Sequence, residues 1–230
     1  MRMLPSETNL ELNTEADAQV ELYNRRQIFI RDAMPENWQN LADELRSAAE
    51  ILWHKHESSL RIEVVQSESA VLNALTVSAI SRPYLLLAGF AIENLIKGML
   101  VAGDPSLINK GSMDKMLKTH KLVKLAELLP ILSLDEDERH FCEVAESAIP
   151  YWGRYPIPLE FNGVMPEVRL TPALRAAFLK LFSRIHKQLY TVIRNGWDSG
   201  AGPQICNVRN TIYERELDIH ESFFATPPID

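Results

Sequence analysis

Two charged residues interrupt an otherwise apolar, helix-forming stretch of this 230-residue chain. Glu93 and Lys97 are four residues apart, a spacing that brings two side chains together on one face of a helix. The surrounding residues from Leu85 to Val101 are nearly all apolar or small, so the pair should be shielded from water. We predict an ion pair here, which is either a structural bond or a polar contact for a ligand.

His120 and Arg154 are two further candidates for contact with a ligand. His120 opens a predicted helix, where the positive end of the helix dipole disfavours a protonated imidazole. It can act there as a base or contact a phosphate, and the alternative is a capping or packing role. Arg154 lies in a segment rich in tyrosine, tryptophan and proline, where it can bind a phosphate or stack on a neighbouring ring.

Basic residues are concentrated in two segments of a chain whose formal net charge is −7. Residues 110–126 contain five lysines and a single aspartate, and residues 171–196 contain five basic residues and no acidic ones. On a helix, Lys180, Arg184 and Lys187 project from the side opposite the apolar stripe. This basic face is either simply solvated or a contact for an acidic ligand such as RNA, a nucleotide or an acidic segment of a protein.

Residue types that bind metals occur in two places, and both have a simpler explanation. His54 and His56 are two residues apart, which points them about 200° from each other on a helix. The acidic run 135–138 suits the first turn of a helix, where carboxylates interact favourably with the dipole. The chain also lacks a glycine-rich phosphate loop, and Cys142 and Cys206 are isolated thiols. We predict no metal site and no cofactor.

The elements that must position these residues are predicted to be helices. Ser81 can cap the apolar helix that carries Glu93, and Gly103-Asp104-Pro105 stops it. Other starts are predicted at Thr14-x-x-Asp17, Pro35, Ser67 or Ser69, Thr119, the capping box Ser133-x-x-Glu136 and Thr171-Pro172, and stops at Pro130 and Asn195-Gly196. Polar loops are expected over residues 104–118 and 150–170.

A membrane span is the rival interpretation of the apolar helix, and the two charges near its middle argue against it. An ionised side chain there costs on the order of 2.5–3.5 kcal/mol. Residues 1–12 are polar and acidic, unlike the charged and then apolar pattern of a leader. We therefore expect a soluble, cytoplasmic protein that does not enter a membrane.

Three motifs then resemble the HEPN superfamily of all-helical domains. They are Ala88-Gly-Phe-Ala-Ile-Glu-Asn-Leu-Ile-Lys-Gly-Met-Leu100, Thr119-His-Lys-Leu-Val-Lys-Leu-Ala-Glu-Leu-Leu129 and Tyr151-Trp-Gly-Arg-Tyr-Pro156. The resemblance covers residues 67–195 and rests on the order and spacing of the motifs. It implies an all-α, up-and-down helical bundle with N- and C-terminal extensions, a homodimer, and a role in defence or toxin–antitoxin systems. We divide the chain into a lead-in (1–34), an accessory helix (35–66), a HEPN-like core (67–196) and a linker with an arm (197–230).

The resemblance implies two classes of function. HEPN proteins include metal-independent ribonucleases, nucleotide-binding modules and noncatalytic dimerisation domains. Nucleolytic members carry Arg-x(4–6)-His on a late core helix, and no arginine of residues 171–195 stands at that spacing from His186. The literal match, Arg215 with His220, lies in the tail. We therefore predict a noncatalytic module that recognises a nucleotide, RNA or protein partner. The alternative is a ribonuclease that uses Arg215, His220 or His120.

Overall fold

The computed structural model describes residues 7–55, 60–66, 72–152 and 168–200, and their side chains within 17–55, 79–150 and 168–200. These ranges contain six α-helices and one two-stranded sheet. The helices are α1 (Glu7–Asp32), α2 (Pro35–Trp53), α3 (Ser81–Gly103), α4 (Leu122–Glu127), α5 (Glu136–Ser147) and α6 (Pro172–Arg194), and the strands are β1 (Leu60–Gln66) and β2 (Leu72–Ser78). The described chain is predominantly helical, which confirms the predicted class in its coarse form.

Helix α3 is the centre of the bundle and packs against α2, α4, α5 and α6. Its side chains are buried on most sides, including Ile92 and Leu95, which are fully buried. A Cβ atom added at Gly98 would lie 2.9 Å from side-chain atoms of both Trp38 on α2 and Leu189 on α6. The glycine therefore lets three helices approach closely, and the prediction of a buried central helix is confirmed.

Length and apolar composition alone would let α3 cross a membrane, and no other helix within the described ranges meets that test. Most of its apolar stretch is buried against the other helices. The charged residues that interrupt it are buried as well, with Glu93 and Lys97 each 5% exposed.

Several helix ends coincide with the predicted capping residues. Helix α2 begins at Pro35, and α6 begins after Thr171, whose hydroxyl oxygen accepts a hydrogen bond from the Leu174 amide at 3.2 Å. Gly196, just after α6, has a φ of 91°, a conformation that glycine adopts without strain. Proline at a helix start and glycine past a helix end were therefore reliable signals here.

The predicted caps of α5 and α3 were misplaced. Helix α5 is capped by Asp135, whose side chain and that of Glu138 form the capping box, in place of Ser133 and Glu136. Asp135 with Glu138 has the same spacing as Ser133 with Glu136, and either pair can bond the backbone amides of its own N-cap and N3 residues. The sequence pattern therefore fits both helix starts. Ser81 is the first residue of α3, and its hydroxyl accepts a hydrogen bond from the Leu170 amide at 3.2 Å. It ties the chain before α6 to the start of α3.

The predicted helix from Ser67 or Ser69 towards Arg82 is wrong, because residues 72–78 form β2. The strand pairs antiparallel with β1, with Leu60 opposite Ser78 and Gln66 opposite Leu72. The two strands contain isoleucine, valine and threonine, which favour extended backbone. Within the range 35–66 that we assigned to the accessory helix, α2 ends at Trp53, and β1 occupies the last residues of the range.

The lead-in contains a longer helix than the short one predicted from Thr14-x-x-Asp17. Helix α1 has 26 residues and meets the bundle near its C-terminal end, where Ile30 is fully buried. The Arg26 Nε atom donates a hydrogen bond to the Asn109 carbonyl oxygen at 2.8 Å. This bond joins α1 to the loop that follows α3.

Candidate functional site

The predicted pair of Glu93 and Lys97 forms inside the bundle. The Lys97 ammonium donates to Oε1 of Glu93 at 2.6 Å, and each side chain is 6% exposed. Asn94 shares this face of α3 and donates to the Phe90 carbonyl oxygen at 2.7 Å. The rest of the helix is apolar, so the two charges depend on each other for most of their stabilisation.

His120 completes the arrangement from outside the helix. Its Nδ1 atom lies 2.9 Å from Oε2 of Glu93, and its ring packs edge-on to Phe90 with centroids 6.3 Å apart. The His120 side chain is 47% exposed, whereas Glu93 and Lys97 are almost inaccessible. We name Glu93, Lys97 and His120 the His120 cluster. Its buried part is an ion pair, and its accessible part is an imidazole ring.

The carboxylate of Glu93 determines how the His120 ring can be used. A carboxylate oxygen only accepts hydrogen bonds, so Nδ1 of His120 carries the proton that is donated to it. The Nε2 atom is then available as an acceptor in the neutral ring and as a donor in the protonated ring. The ring is therefore oriented before any ligand arrives, as in sites where a carboxylate positions a histidine.

His120 lies two residues before helix α4, not in its first turn as predicted. The backbone at Lys121 is extended (φ −83°, ψ 91°), so the helix begins only at Leu122. The hydroxyl oxygen of Thr119 accepts a hydrogen bond from the Lys121 amide at 3.1 Å, which fixes the turn that holds His120. Glu146 on α5 accepts from the Val123 amide at 3.3 Å and so satisfies a donor at the start of α4.

Exposed lysines flank His120 on both sides. Lys118 ends the 3₁₀ turn before it, Lys121 follows it directly, and Lys124 lies in the first turn of α4. The Lys121 ammonium is 3.5 Å from Glu146, a weak pair because the lysine side chain is 56% exposed. Lys118 and Lys124 form no ion pair within the described residues. Exposed positive charge therefore precedes and follows His120 closely in the chain.

The predicted basic face on α6 is largely used inside the chain. Lys180 pairs with Asp135 at 2.5 Å, and Arg184 pairs with the buried carboxylate of Glu138 at 2.5 Å and with the Ser133 carbonyl oxygen at 2.8 Å. Hydrogen bonding from Lys180 lowers the pKa of Asp135, and the same bond raises the pKa of Lys180. These two side chains attach α6 to the start of α5, and Lys187 is exposed beside them.

A second polar cluster, between α2 and α6, was not predicted from the sequence. The His186 Nε2 atom lies 2.7 Å from Nε2 of Gln39 and 3.0 Å from Oδ2 of Asp43. The His186 ring stacks on the Phe182 ring. The guanidinium of Arg46 also lies over the Phe182 ring, 5.3 Å from its centroid. Gln39 is fully buried, and Arg46 is 6% exposed. The signal was the spacing of three polar residues along one face of α2.

A third cluster joins the other end of α2 to α3 and α6. Arg175 hydrogen-bonds both carboxylate oxygens of Glu50 and stacks over Trp53 at 5.0 Å from the ring centroid. The buried Tyr84 hydroxyl donates to Glu50 at 3.3 Å, and burial, reinforced by the negative charge of Glu50, raises the pKa of Tyr84 well above its usual range. Both of these clusters are enclosed between helices, so they serve packing and helix register.

Other candidate residues either show no site or lie outside the described ranges. Within those ranges, no three side chains of histidine, cysteine, aspartate or glutamate come together as metal ligands. Cys142 is buried, and that burial raises the pKa of its thiol to about 12. Arg154, Arg215 and His220 belong to residues that the structure does not describe.

The fold and the site together define a class of protein: a helical bundle with a buried ion pair that orients a half-exposed histidine beside exposed lysines. Comparison of the chain with known protein families, curated proteins and solved structures finds no match. Function must therefore be argued from the site itself.

Proposed function

We propose that this chain is a noncatalytic, HEPN-like binding module that recognises the phosphate groups of a nucleotide or of RNA at the His120 cluster. The observation that carries the proposal is the buried Glu93–Lys97 pair, which holds a half-exposed imidazole among exposed lysines. The resemblance to the HEPN superfamily supports the same proposal and suggests a role in defence or toxin–antitoxin systems.

A purely structural role explains the buried pair poorly. Burying two charges costs desolvation energy, and apolar residues of similar volume often give equal or greater stability at such positions. Here one oxygen of Glu93 accepts from Lys97 and the other accepts from His120. The pair therefore does something that an apolar pair cannot do, because it fixes the orientation of the imidazole ring.

The surface around His120 has the charge that a phosphate requires. Lys118 and Lys124 are exposed and contribute positive charge before and after His120 in the chain, although the whole chain has a formal net charge of −7. A local basic surface on an acidic protein favours a defined site over general coating of nucleic acid. When the His120 ring is protonated, its Nε2 atom donates a hydrogen bond to a phosphate oxygen. The lysines attract the negative charge of the phosphate.

Binding of fluorescently labelled single-stranded RNA and of a labelled nucleotide, measured by anisotropy at low salt, tests the proposal. The double variant Lys118→Glu/Lys124→Glu should lose at least tenfold in affinity, because two attractive charges become repulsive. The matched control is Lys187→Glu on α6, which reverses an exposed charge elsewhere and should leave affinity unchanged. Affinity should also fall with salt, since each contacted phosphate releases counterions.

Two results would contradict the proposal. One is the absence of binding to either ligand at low salt. The other is an equal loss of affinity in the control Lys187→Glu and in the double variant. That result would indicate that the basic face of α6 contributes to binding as much as the lysines near His120 do.

Ribonuclease activity is the second candidate, and one observation favours it. A carboxylate that holds Nδ1 of a half-exposed histidine, as Glu93 holds His120, is also the arrangement of a histidine that acts as a general base. Cleavage of single-stranded RNA in the presence of EDTA would establish the activity. His120→Ala should then abolish cleavage if this ring is catalytic, and His220→Ala should do so if the tail provides the catalytic pair. Cleavage that survives both substitutions would contradict both assignments.

A further inference from the structure

The β-hairpin formed by β1 and β2 has a free edge on each strand within the part of the chain that the structure describes. The sheet has two strands, and neither packs extensively on a described helix. The hairpin extends from the end of the bundle where α2 finishes and α3 begins. Backbone donors and acceptors on a free edge are available to pair with another strand.

A two-stranded hairpin is a weak unit when it stands by itself. Sheets generally need three or more strands, or a helix packed on one face, to be stable in water. Pairing the hairpins of two molecules edge to edge would produce a four-stranded sheet and would use the backbone groups of one edge from each molecule. The question is which edge pairs, and in which register.

We propose that β1 pairs antiparallel with β1 of a second copy of this chain, about a two-fold axis at Ile62. In this register Arg61 of each copy is opposite Glu63 of the other, so the symmetry creates two pairs of opposite charge. Leu60 is opposite Val64, and Ile62 is opposite its own counterpart. Opposite charges and apolar side chains directly across from each other both stabilise an antiparallel pair.

The alternative registers are less favourable. A two-fold axis perpendicular to the sheet puts the same face of both hairpins on the same side. Odd-numbered residues of β1 are then opposite odd-numbered residues, and even-numbered residues are opposite even-numbered ones. Moving the axis to Arg61 places arginine opposite arginine, and moving it to Glu63 places glutamate opposite glutamate, which is destabilising. Strand β2 contains no charged residue, so its edge offers no comparable selection of register.

Within the hairpin, neither Arg61 nor Glu63 is opposite a charged residue of β2, so both charges can be matched across the outer edge of β1. Val77 is opposite Arg61 and Leu75 is opposite Glu63, so neither charged position faces an opposite charge on β2. The strand edge is thus complementary to itself and to no strand of its own molecule within the described residues. This gives the expected homodimer a location, and it is independent of the phosphate site.

The test compares the self-association of Arg61→Glu and Glu63→Arg, separately and mixed, in the full chain by sedimentation equilibrium. Each single variant turns both opposite-charge pairs of the interface into pairs of like charges and should raise the dissociation constant of the dimer by about tenfold or more. A one-to-one mixture restores both opposite-charge pairs in a heterodimer and should associate nearly as tightly as the unaltered protein. The control Asn73→Glu adds a charge to β2 and should leave the dimer intact.

Three results would overturn the proposal. They are an unaltered protein that is monomeric at about 100 µM, single variants that dimerise as tightly as the unaltered protein, and a mixture that stays as dissociated as its components. Circular dichroism of each variant checks that the helices are retained. Recovery in the mixture itself shows that the single variants are folded well enough to pair. Because the variants lie far along the chain from His120, RNA affinity measured on them separates a failed dimer from a failed phosphate site.

Discussion

At the scale of single residues, the position of Glu93 between a lysine and a histidine sets the properties of the site. The carboxylate is buried, so both of its oxygens need partners, and Lys97 and His120 provide them. The first partner was predictable because it is four residues away on the same helix. The second is 27 residues away and depends on how the loop after α3 returns to the helix. Helical spacing carries no information on such a contact.

The buried pair should make Glu93 much more sensitive to substitution than a surface acid. Glu93→Ala leaves the Lys97 ammonium buried without its partner, so the free energy of unfolding should fall by about 3–5 kcal/mol. Urea unfolding followed by circular dichroism measures this change. The double variant Glu93→Leu/Lys97→Met removes both charges and should be clearly more stable than Glu93→Ala, although it also loses the bond to His120.

An exposed pair provides the comparison for that experiment. Lys180→Met breaks the pair between Lys180 and Asp135, in which the two side chains are 61% and 43% exposed. It should lower the free energy of unfolding much less than Glu93→Ala does, because water screens an exposed pair. If Glu93→Ala were no more destabilising than Lys180→Met, the Glu93–Lys97 pair would be accessible to water. The assignment of the His120 cluster as a site built on a buried ion pair would then be wrong.

At the scale of elements, apolar periodicity and capping residues predicted the helices well and their exact packing less well. The stripe of α6 and the burial of α3 followed directly from the sequence. On α2, the apolar Leu41 is 45% exposed, while the polar Gln39 and Arg46 are buried. Polar residues can be buried there because they have partners on α6, and only the folded structure shows those partners. The hairpin was missed because a short mixed segment fits both periods.

The junction of α5 and α6 should give stability a defined dependence on pH. The pKa of Asp135 is lowered from 3.8, chiefly by its hydrogen bond with Lys180. Its contribution to stability is therefore complete above pH 3.8 and is lost as pH falls through the lower pKa of the folded state. The pKa of Lys180 is raised from 10.5, so its contribution is complete below that pH and is lost as pH rises through the higher pKa of the folded state.

Thermal melting as a function of pH checks this expectation. Asp135→Asn should reduce the loss of melting temperature below about pH 4, and Lys180→Met should reduce the loss above about pH 10.5. The matched control is Asp137→Asn, an exposed acid in the same turn of α5. Acid dependence that changes equally in Asp135→Asn and Asp137→Asn would show that the pair with Lys180 has no specific effect.

At the scale of the whole molecule, the described chain is a bundle around α3 with a lysine-bordered site on one side and a β-hairpin at one end. The sequence alone indicated the bundle, the buried pair and the concentration of lysines between residues 110 and 126. It misjudged the basic face of α6, because the acids that neutralise Lys180 and Arg184 lie 45 and 46 residues earlier in the chain. Counting charged residues along the sequence therefore overstated the accessible positive charge on α6. Near His120 the same count agreed with the exposure of the lysines.

The central claim is that a phosphate binds at the ring nitrogen of His120 that Glu93 leaves available. Long-range ¹H–¹⁵N NMR of the six histidine rings tests it most directly, with the His120 signals assigned by their loss in His120→Gln. On titration with a nucleotide, the Nε2 signal of His120 should move, while Nδ1 should remain a protonated nitrogen bonded to Glu93. Binding that leaves the His120 nitrogens unchanged, or moves those of another histidine instead, would contradict the account.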